Sequence, residues 1–289
     1  MEKNFEYIDT HAHINLSAFD EDRQEVLKRT SEAGVVHINV GTKESTSTKA
    51  VEIAKANDGV YAIVGLHPIQ TTPEMHSKDE LGEGGKPFLS QGEMFDKDFY
   101  RELCKSKKVV AIGECGLDYY RNDESTKEVQ ERQFIAQIEL ANELQLPLMI
   151  HTRDAKGNQA SANTTIRSVY DDVYDILKQH AKVTGNIHFY AGTYEQAKSF
   201  FELGFTVSFT GVITFAKEYD EVVRNVPLDL MHAETDCPYV APKPYRGQRC
   251  EPMFVKEVYK KIAEIKGEDE GKVREQLIEN ARKLYKIEI

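Results

Sequence analysis

The 289-residue sequence has few cysteines and no two at C-x-x-C spacing: Cys104, Cys115, Cys237 and Cys250 stand far apart. That speaks against a zinc ribbon and against a disulfide framework, and favours a reducing cytosolic or nuclear setting. Long apolar runs are missing too. No stretch approaches the length of a membrane span, and the opening M-E-K-N-F-E-Y lacks the apolar core of a signal peptide. The expected location is the cytoplasm, or the nucleus in a eukaryote, with no membrane contact and no obligate protein partner. Positive charge is in deficit, with a formal net charge of −11. A general nucleic-acid coat would be basic. An enzyme meeting nucleic acid at one cation-bearing cleft stays allowed, because bound metal ions can be the largest local charges.

What remains is an ordinary globular composition, 40% hydrophobic and 29% charged. Short β-branched segments alternate with helical patterns throughout. The strand candidates are E-Y-I-D-T-H, V-V-H-I-N-V-G, V-Y-A-I-V-G-L-H, K-V-V-A-I-G-E, L-P-L-M-I-H-T, V-T-G-N-I-H-F, F-T-V-S-F-T-G and L-D-L-M-H-A-E-T-D. Between them, Glu128 to Leu144 repeats Phe134, Ile138, Ala141 and Leu144 at helical spacing. Glu251 to Ile265 does so with Phe254, Val258 and Ile262, and Pro252 suits its first turn. A last helix carries Leu277, Ala281 and Leu284.

Eight near-continuous apolar strands, each followed by a helix, predict a single-domain (β/α)8 TIM barrel over residues 1–289, with the doubly wound open sheet as the alternative. No repeat or linker divides the chain. Two polar segments look inserted. Thr71 to Asp98 holds four glycines and seven acidic residues against three lysines, and Lys156 to Ser168 is polar and glycine-bearing. Both follow strands, so in a barrel both would rise over the active face as lids or disordered loops.

Polar residues at strand ends form the chemical signal. D-T-H-A-H places Asp9, His11 and His13 on one face of the first strand if side chains alternate. His67 closes the third strand, Glu114 the fourth and His151 the fifth, while His188 lies in the sixth and Asp236 closes the eighth. A barrel gathers such ends on one rim. His67 apart, the four histidines His11, His13, His151 and His188 and the two carboxylates Glu114 and Asp236 there have the ligand chemistry of a two-metal centre for zinc, manganese or magnesium. His37 and His232, early or mid-strand, read as structural. Any single strand-end histidine is more often a satisfied structural residue; the set of six reverses that balance, because a desolvated polar cluster needs a reason.

In this order D-T-H-A-H, G-L-H-P, G-E-C-G-L-D-Y, H-T-R-D-A and E-T-D-C-P-Y resemble the TatD family of metal-dependent deoxyribonucleases, in the amidohydrolase superfamily. The resemblance spans Tyr7 to Tyr285. It implies that His11 and His13 hold one metal ion, that Glu114 bridges two, and that His151 and His188 hold the second. Asp236 would bind the first ion and orient or deprotonate the attacking water. The implied reaction is hydrolysis of DNA phosphodiesters from a 3′ end by a metal-activated hydroxide. The same site chemistry also fits an aminoacyl-tRNA ester or a small amide, and a non-catalytic barrel scaffold is the rival of another class.

His67 either ends its strand before Pro68 or touches the substrate phosphate. Arg153 points with His151 by alternation, towards a phosphate or a neighbouring acid. Tyr119 and Tyr120 either stack on the bases of single-stranded DNA ends or pack under a loop. Val240 to Cys250 carries Lys243, Arg246 and Arg249 with no acid, as a phosphate-binding loop or a solvated one. Two departures from the family pattern bear on substrate detail: where the family usually reads H-C-F-S-G, H-F-Y-A-G at His188 to Gly192 loses the serine hydroxyl at Ala191, and Cys250 stands at an asparagine-like position.

Overall fold

The computed structural model describes residues 5–76, 87–120, 124–155 and 167–288. The cores of both polar segments, 77–86 and 156–166, therefore lie outside the described residues.

Eight strands form one parallel sheet in chain order: β1 (Tyr7–Ala12), β2 (Val35–Val40), β3 (Val60–Val64), β4 (Val109–Asp118), β5 (Leu148–Arg153), β6 (Gly185–Ile187), β7 (Thr206–Phe209) and β8 (Met231–Ala233). The seam between first and last closes through a parallel bridge, Ala12 to Cys237. The expected (β/α)8 barrel is the fold. Its strands read as apolar runs because both faces are covered. Val36, Ile38, Val40, Ile63 and Met149 pack inside the barrel with Tyr285 and Ile287, while Val35, Ala62 and Val64 join the outer core beneath the helices.

The helices are α1 (Arg23–Glu32), α2 (Glu44–Ala56), α3 (Lys97–Leu103), α4 (Glu124–Leu144), α5 (Val169–His180), α6 (Tyr194–Glu202), α7 (Asp220–Asn225), α8 (Val255–Lys266) and α9 (Glu270–Tyr285). Phe134, Ile138 and Ala141 of α4 are buried as their spacing predicts. Full burial of a side chain like Phe134 contributes roughly 1.5–3 kcal/mol. Pro252 opens a single 3-10 turn ahead of α8, where its missing N–H leaves nothing unpaired. Ser168 caps α5, accepting the Tyr170 N–H, and α8 stops at the left-handed Gly267.

The acidic segment is partly built into the fold. Met75–His76 pairs antiparallel with Phe88–Leu89, the His76 ring stacks on Phe88 at 4.8 Å, and α3 begins at Lys97. Its short pieces are held by such pairing rather than by an apolar period.

Candidate metal centre

At the C-terminal rim of the barrel, Glu114 is the hub. Its Oε2 lies 3.4 Å from His11 Nε2 and 3.6 Å from His13 Nε2. Its Oε1 lies 2.7 Å from His188 Nε2, 3.0 Å from His151 Nδ1 and 3.3 Å from His67 Nε2. Asp236 Oδ1 closes the first side, 3.3 Å from His13 Nε2 and 3.7 Å from His11 Nε2. All six expected ligand residues thus meet, and His67 meets them.

Local backbone explains the placement. Gly113 and Gly116 flank Glu114 with φ of 152° and 139°, and a Cβ at either would strike the β5 backbone, 2.6 Å from Met149 O and 2.1 Å from His151 O. Only glycine lets β4 lie this close to β5 while the register between them shifts. The strand runs four residues past Glu114, so Asp118 shares the rim. His188 stands one residue beyond β6, and Asp236 follows β8 with a φ of 54°.

Three of the imidazoles have their tautomer set from behind. His13 Nδ1 donates to Val40 O at 2.8 Å, His188 Nδ1 donates to Glu234 Oε1 at 3.3 Å, and His151 Nε2 donates to Asp118 Oδ2 at 3.0 Å. The other nitrogen of each ring turns towards Glu114, where it carries a proton in the imidazolium form and a lone pair in the neutral one. His11 Nδ1 is buried and finds no hydrogen-bond partner among the described residues. His67 is different: its Nδ1 accepts the Ile69 N–H at 3.1 Å, so its Nε2 carries the proton and donates to Glu114.

The electrostatics follow. Burial alone would raise the Glu114 carboxyl, but the imidazoles of His188, His67 and His11 outweigh it and hold it well below the ordinary carboxylate range. Burial would lower His188, but Glu114 and Glu234 overcome it and raise the ring well above its ordinary value. Burial, then His151, takes His67 down to about 4. Imidazole nitrogens gathered around a carboxylate in a dry pocket suit a divalent cation, which would take the place of their inward protons, and three ligand groupings fall within 4.8 Å: His11–Glu114–His188, His11–His13–Asp236 and His67–Glu114–His151.

A family model described as TatD related DNase matches residues 8–286. The chain belongs to the TatD family. It is 37% identical over 286 residues to the uncharacterised metal-dependent hydrolase YabD of Bacillus subtilis, covering 96% of this chain and 98% of that protein. It is 32% identical to a Rahnella protein named 3'-5' ssDNA/RNA exonuclease TatD, across 95% of this chain and 97% of that one. The solved YJJV, a TatD homologue of Escherichia coli K12, superposes with a TM-score of 0.78 over all of both chains at 24% identity. Likeness at that identity bears on the TatD barrel alone.

Several readings of the sequence are corrected by the TatD-family structure. Asp9 does not share a face with His11 and His13, because β1 shifts register between Asp9 and Ala12. Asp9 instead accepts the Thr235 N–H at 2.9 Å and the Thr235 hydroxyl at 2.5 Å. Tyr119 is not a stacking platform: its ring is buried, its hydroxyl donates to Asp172, and Lys127 lies 4.5 Å from the ring centre. Arg249 is not presented to a substrate, since it pairs with Asp22 at 2.6 Å and Glu251 at 3.3 Å and lies over Phe19. Arg246 is exposed, lies over Phe215 and donates to Ala241 O. Arg153 reaches Asp118 at 4.0 Å and covers Tyr120, so it does point with His151. Cys115 and Cys237 are buried fillers as expected.

Two site acids went unread, Asp118 and Glu234. Asp118 lies four residues beyond Glu114, an even step that puts both on one strand face, and this was the available signal. A polar stripe on α4 was missed as well. Gln130 bonds both backbone groups of Asp118, Gln133 accepts from Phe95 N, and Gln137 bonds both backbone groups of Leu66. The stripe clamps the backbone beside Asp118 and His67.

Proposed function

We propose that this TatD-family hydrolase cleaves DNA phosphodiesters, removing nucleotides from single-stranded 3′ ends, with two divalent ions (magnesium, manganese or zinc) as cofactors. One observation carries the two-ion reading: the two oxygens of Glu114 face different ligand groups, Oε2 towards His11 and His13, Oε1 towards His151 and His188. The first group is completed by Asp236. Bound divalent ions would supply Lewis-acid charge for the phosphoryl oxygens and lower the pKa of a coordinated water.

The chain's own residues do the rest. Asp236, at the edge of the first group, holds the attacking water and takes its proton. His67, with its proton on Nε2, offers that N–H to a phosphoryl oxygen once Glu114 is occupied elsewhere. Arg153 and Arg246 receive the nucleic-acid backbone. The direction of attack, from a 3′ end, is supported by the relatives named as 3'-5' exonucleases. Of the two departures from the family pattern, Cys250 is buried and faces packing, while Ala191, at the position of the lost hydroxyl, is exposed.

The deciding experiment is metal analysis of the purified protein, followed by hydrolysis before and after chelation on a panel: single-stranded DNA with free or blocked 3′ ends, circular DNA, RNA, aminoacyl-tRNA and a small amide. Chelation should abolish release of mononucleotides from free 3′ ends, and metal should restore it. Turnover of the ester or amide with none on DNA would replace this reading. Full activity without metal would end it.

A further inference from the structure

Phe189 follows His188 directly, at the place where the family pattern H-C-F-S-G has its cysteine. Were the strand regular here, the two side chains would point to opposite faces. The alternation breaks, because Phe189 has a φ of 45°. A bulky residue takes that left-handed conformation at a cost, so its surroundings must hold it there. Glu234 does so: its Oε1 accepts the Phe189 N–H at 2.8 Å, and its Oε2 accepts the Ser208 hydroxyl at 2.6 Å. Glu234 and Ser208 are fully buried.

The strained backbone brings the Phe189 ring round to the His188 ring, in a T-shaped contact with centroids 6.5 Å apart. Tyr190, the next residue, turns into the core and packs against Tyr170. The Phe189 ring stays partly exposed and joins neither apolar cluster of the described residues. An aromatic ring pinned through its backbone beside a metal-site histidine, yet left unburied, is placed to receive a flat partner. Nucleobases are such partners, and every base offers a π-face. The aromatic residues after β4 serve this purpose less well. Tyr119 is buried, and Tyr120 carries the Arg153 guanidinium 4.0 Å from its ring centre.

We propose that the Phe189 ring is a stacking subsite for the base of a nucleotide that flanks the scissile phosphate. The inference rests on the nucleic-acid reading above and adds to it the place where a base is held.

The test compares the native chain with Phe189→Ala, Phe189→Leu and Phe189→Trp, each loaded with the same metal. The substrates are a single-stranded oligonucleotide and two versions of it, abasic at the last or at the next-to-last nucleotide. Removing the base that stacks should lower native kcat/KM about 5- to 150-fold, the span of base–aromatic stacking. Phe189→Ala and Phe189→Leu should lose as much on the intact strand and nothing further on the abasic one. Leucine keeps the apolar bulk, so a fault in folding cannot pass for a lost stack. Phe189→Trp should keep the dependence on the base. A 2-aminopurine at the same nucleotide, in a strand with cleavage-resistant phosphorothioate linkages, should be quenched by the native chain and by Phe189→Trp alone. Losses that add, a native rate indifferent to both bases, or a loss of rate matched by loss of metal overturn the proposal and leave the ring a cover for His188. No cleavage of any oligonucleotide by the native chain overturns the proposed function, and this subsite with it.

Discussion

His11 and His13 face each other through their Nε2 atoms at 3.0 Å. His13 already spends its Nδ1 hydrogen on Val40 O, so its Nε2 brings a lone pair to that contact. Two imidazoles so placed need a shared proton or a cation between them, and Glu114 and Asp236 sit where they would share the charge.

Glu114 should be the least replaceable residue of the site. Glu114→Gln keeps its size and removes its charge from both ligand groups. Hydrolysis should fall more than a hundredfold, about 2.7 kcal/mol of barrier, with metal content reduced and the circular dichroism spectrum unchanged. Activity within about tenfold of the native chain would remove the bridging role.

His67 should behave differently, because its Nε2 donates. His67→Ala should leave metal content intact and lower kcat/KM about 10- to 100-fold, the worth of a hydrogen bond to a charged group. Loss of metal together with activity would make it a ligand instead. Parallel metal analysis and kinetics separate the two outcomes.

Arg153 and Arg249 should respond to removal in opposite ways. Arg153→Ala should raise KM for DNA and flatten its dependence on salt, with little change in melting temperature. Arg249→Ala should do the reverse, costing about 1–2 kcal/mol of stability through lost pairing with Asp22 and Glu251 and lost packing on Phe19. Thermal melts beside salt-dependent kinetics distinguish them.

Acid stability should depend on His37. Its ring is buried without a hydrogen-bond partner for either nitrogen among the described residues, and burial lowers it to about 4. The unfolded chain binds this proton near pH 6.5, so the contribution is intact above that pH and lost as pH falls towards 4, about 3 kcal/mol over the window. Urea unfolding of His37→Leu should show a shallower loss between pH 6.5 and 4. Equal slopes in both proteins would acquit the ring.

Gln137→Leu keeps the volume of α4 but removes both bonds to the Leu66 backbone. It should therefore loosen His67 and lower kcat/KM on DNA by about tenfold, within the worth of the bonds lost, while zinc affinity holds. An unchanged rate would mean that the neighbouring contacts suffice.

The barrel was legible because strands buried on both faces must be apolar throughout, and an imidazole or carboxylate at the end of such a run stands out. That is why His11, His13, Glu114, His151, His188 and Asp236 could be named beforehand. What stayed hidden depends on partners distant in sequence. Nothing near Arg249 announces Asp22, and nothing near Glu234 announces Ser208. Asp9 was misplaced because alternation assumes an unbroken strand, and the register shift before Ala12 has no sequence signature of its own. Tyr119 looked available because an aromatic residue after a strand reads the same whether it faces a cleft or a helix.

The lock between Asp9 and Thr235 joins residues 226 positions apart, Asp9 two residues before His11 and Thr235 next to Asp236. A growing polypeptide therefore carries its first two imidazoles through most of its synthesis without the carboxylate that completes them. Ligand set and barrel seam come together in one late event. A partly made chain therefore lacks the assembled cluster of His11, His13, Glu114 and Asp236 until its final strand docks.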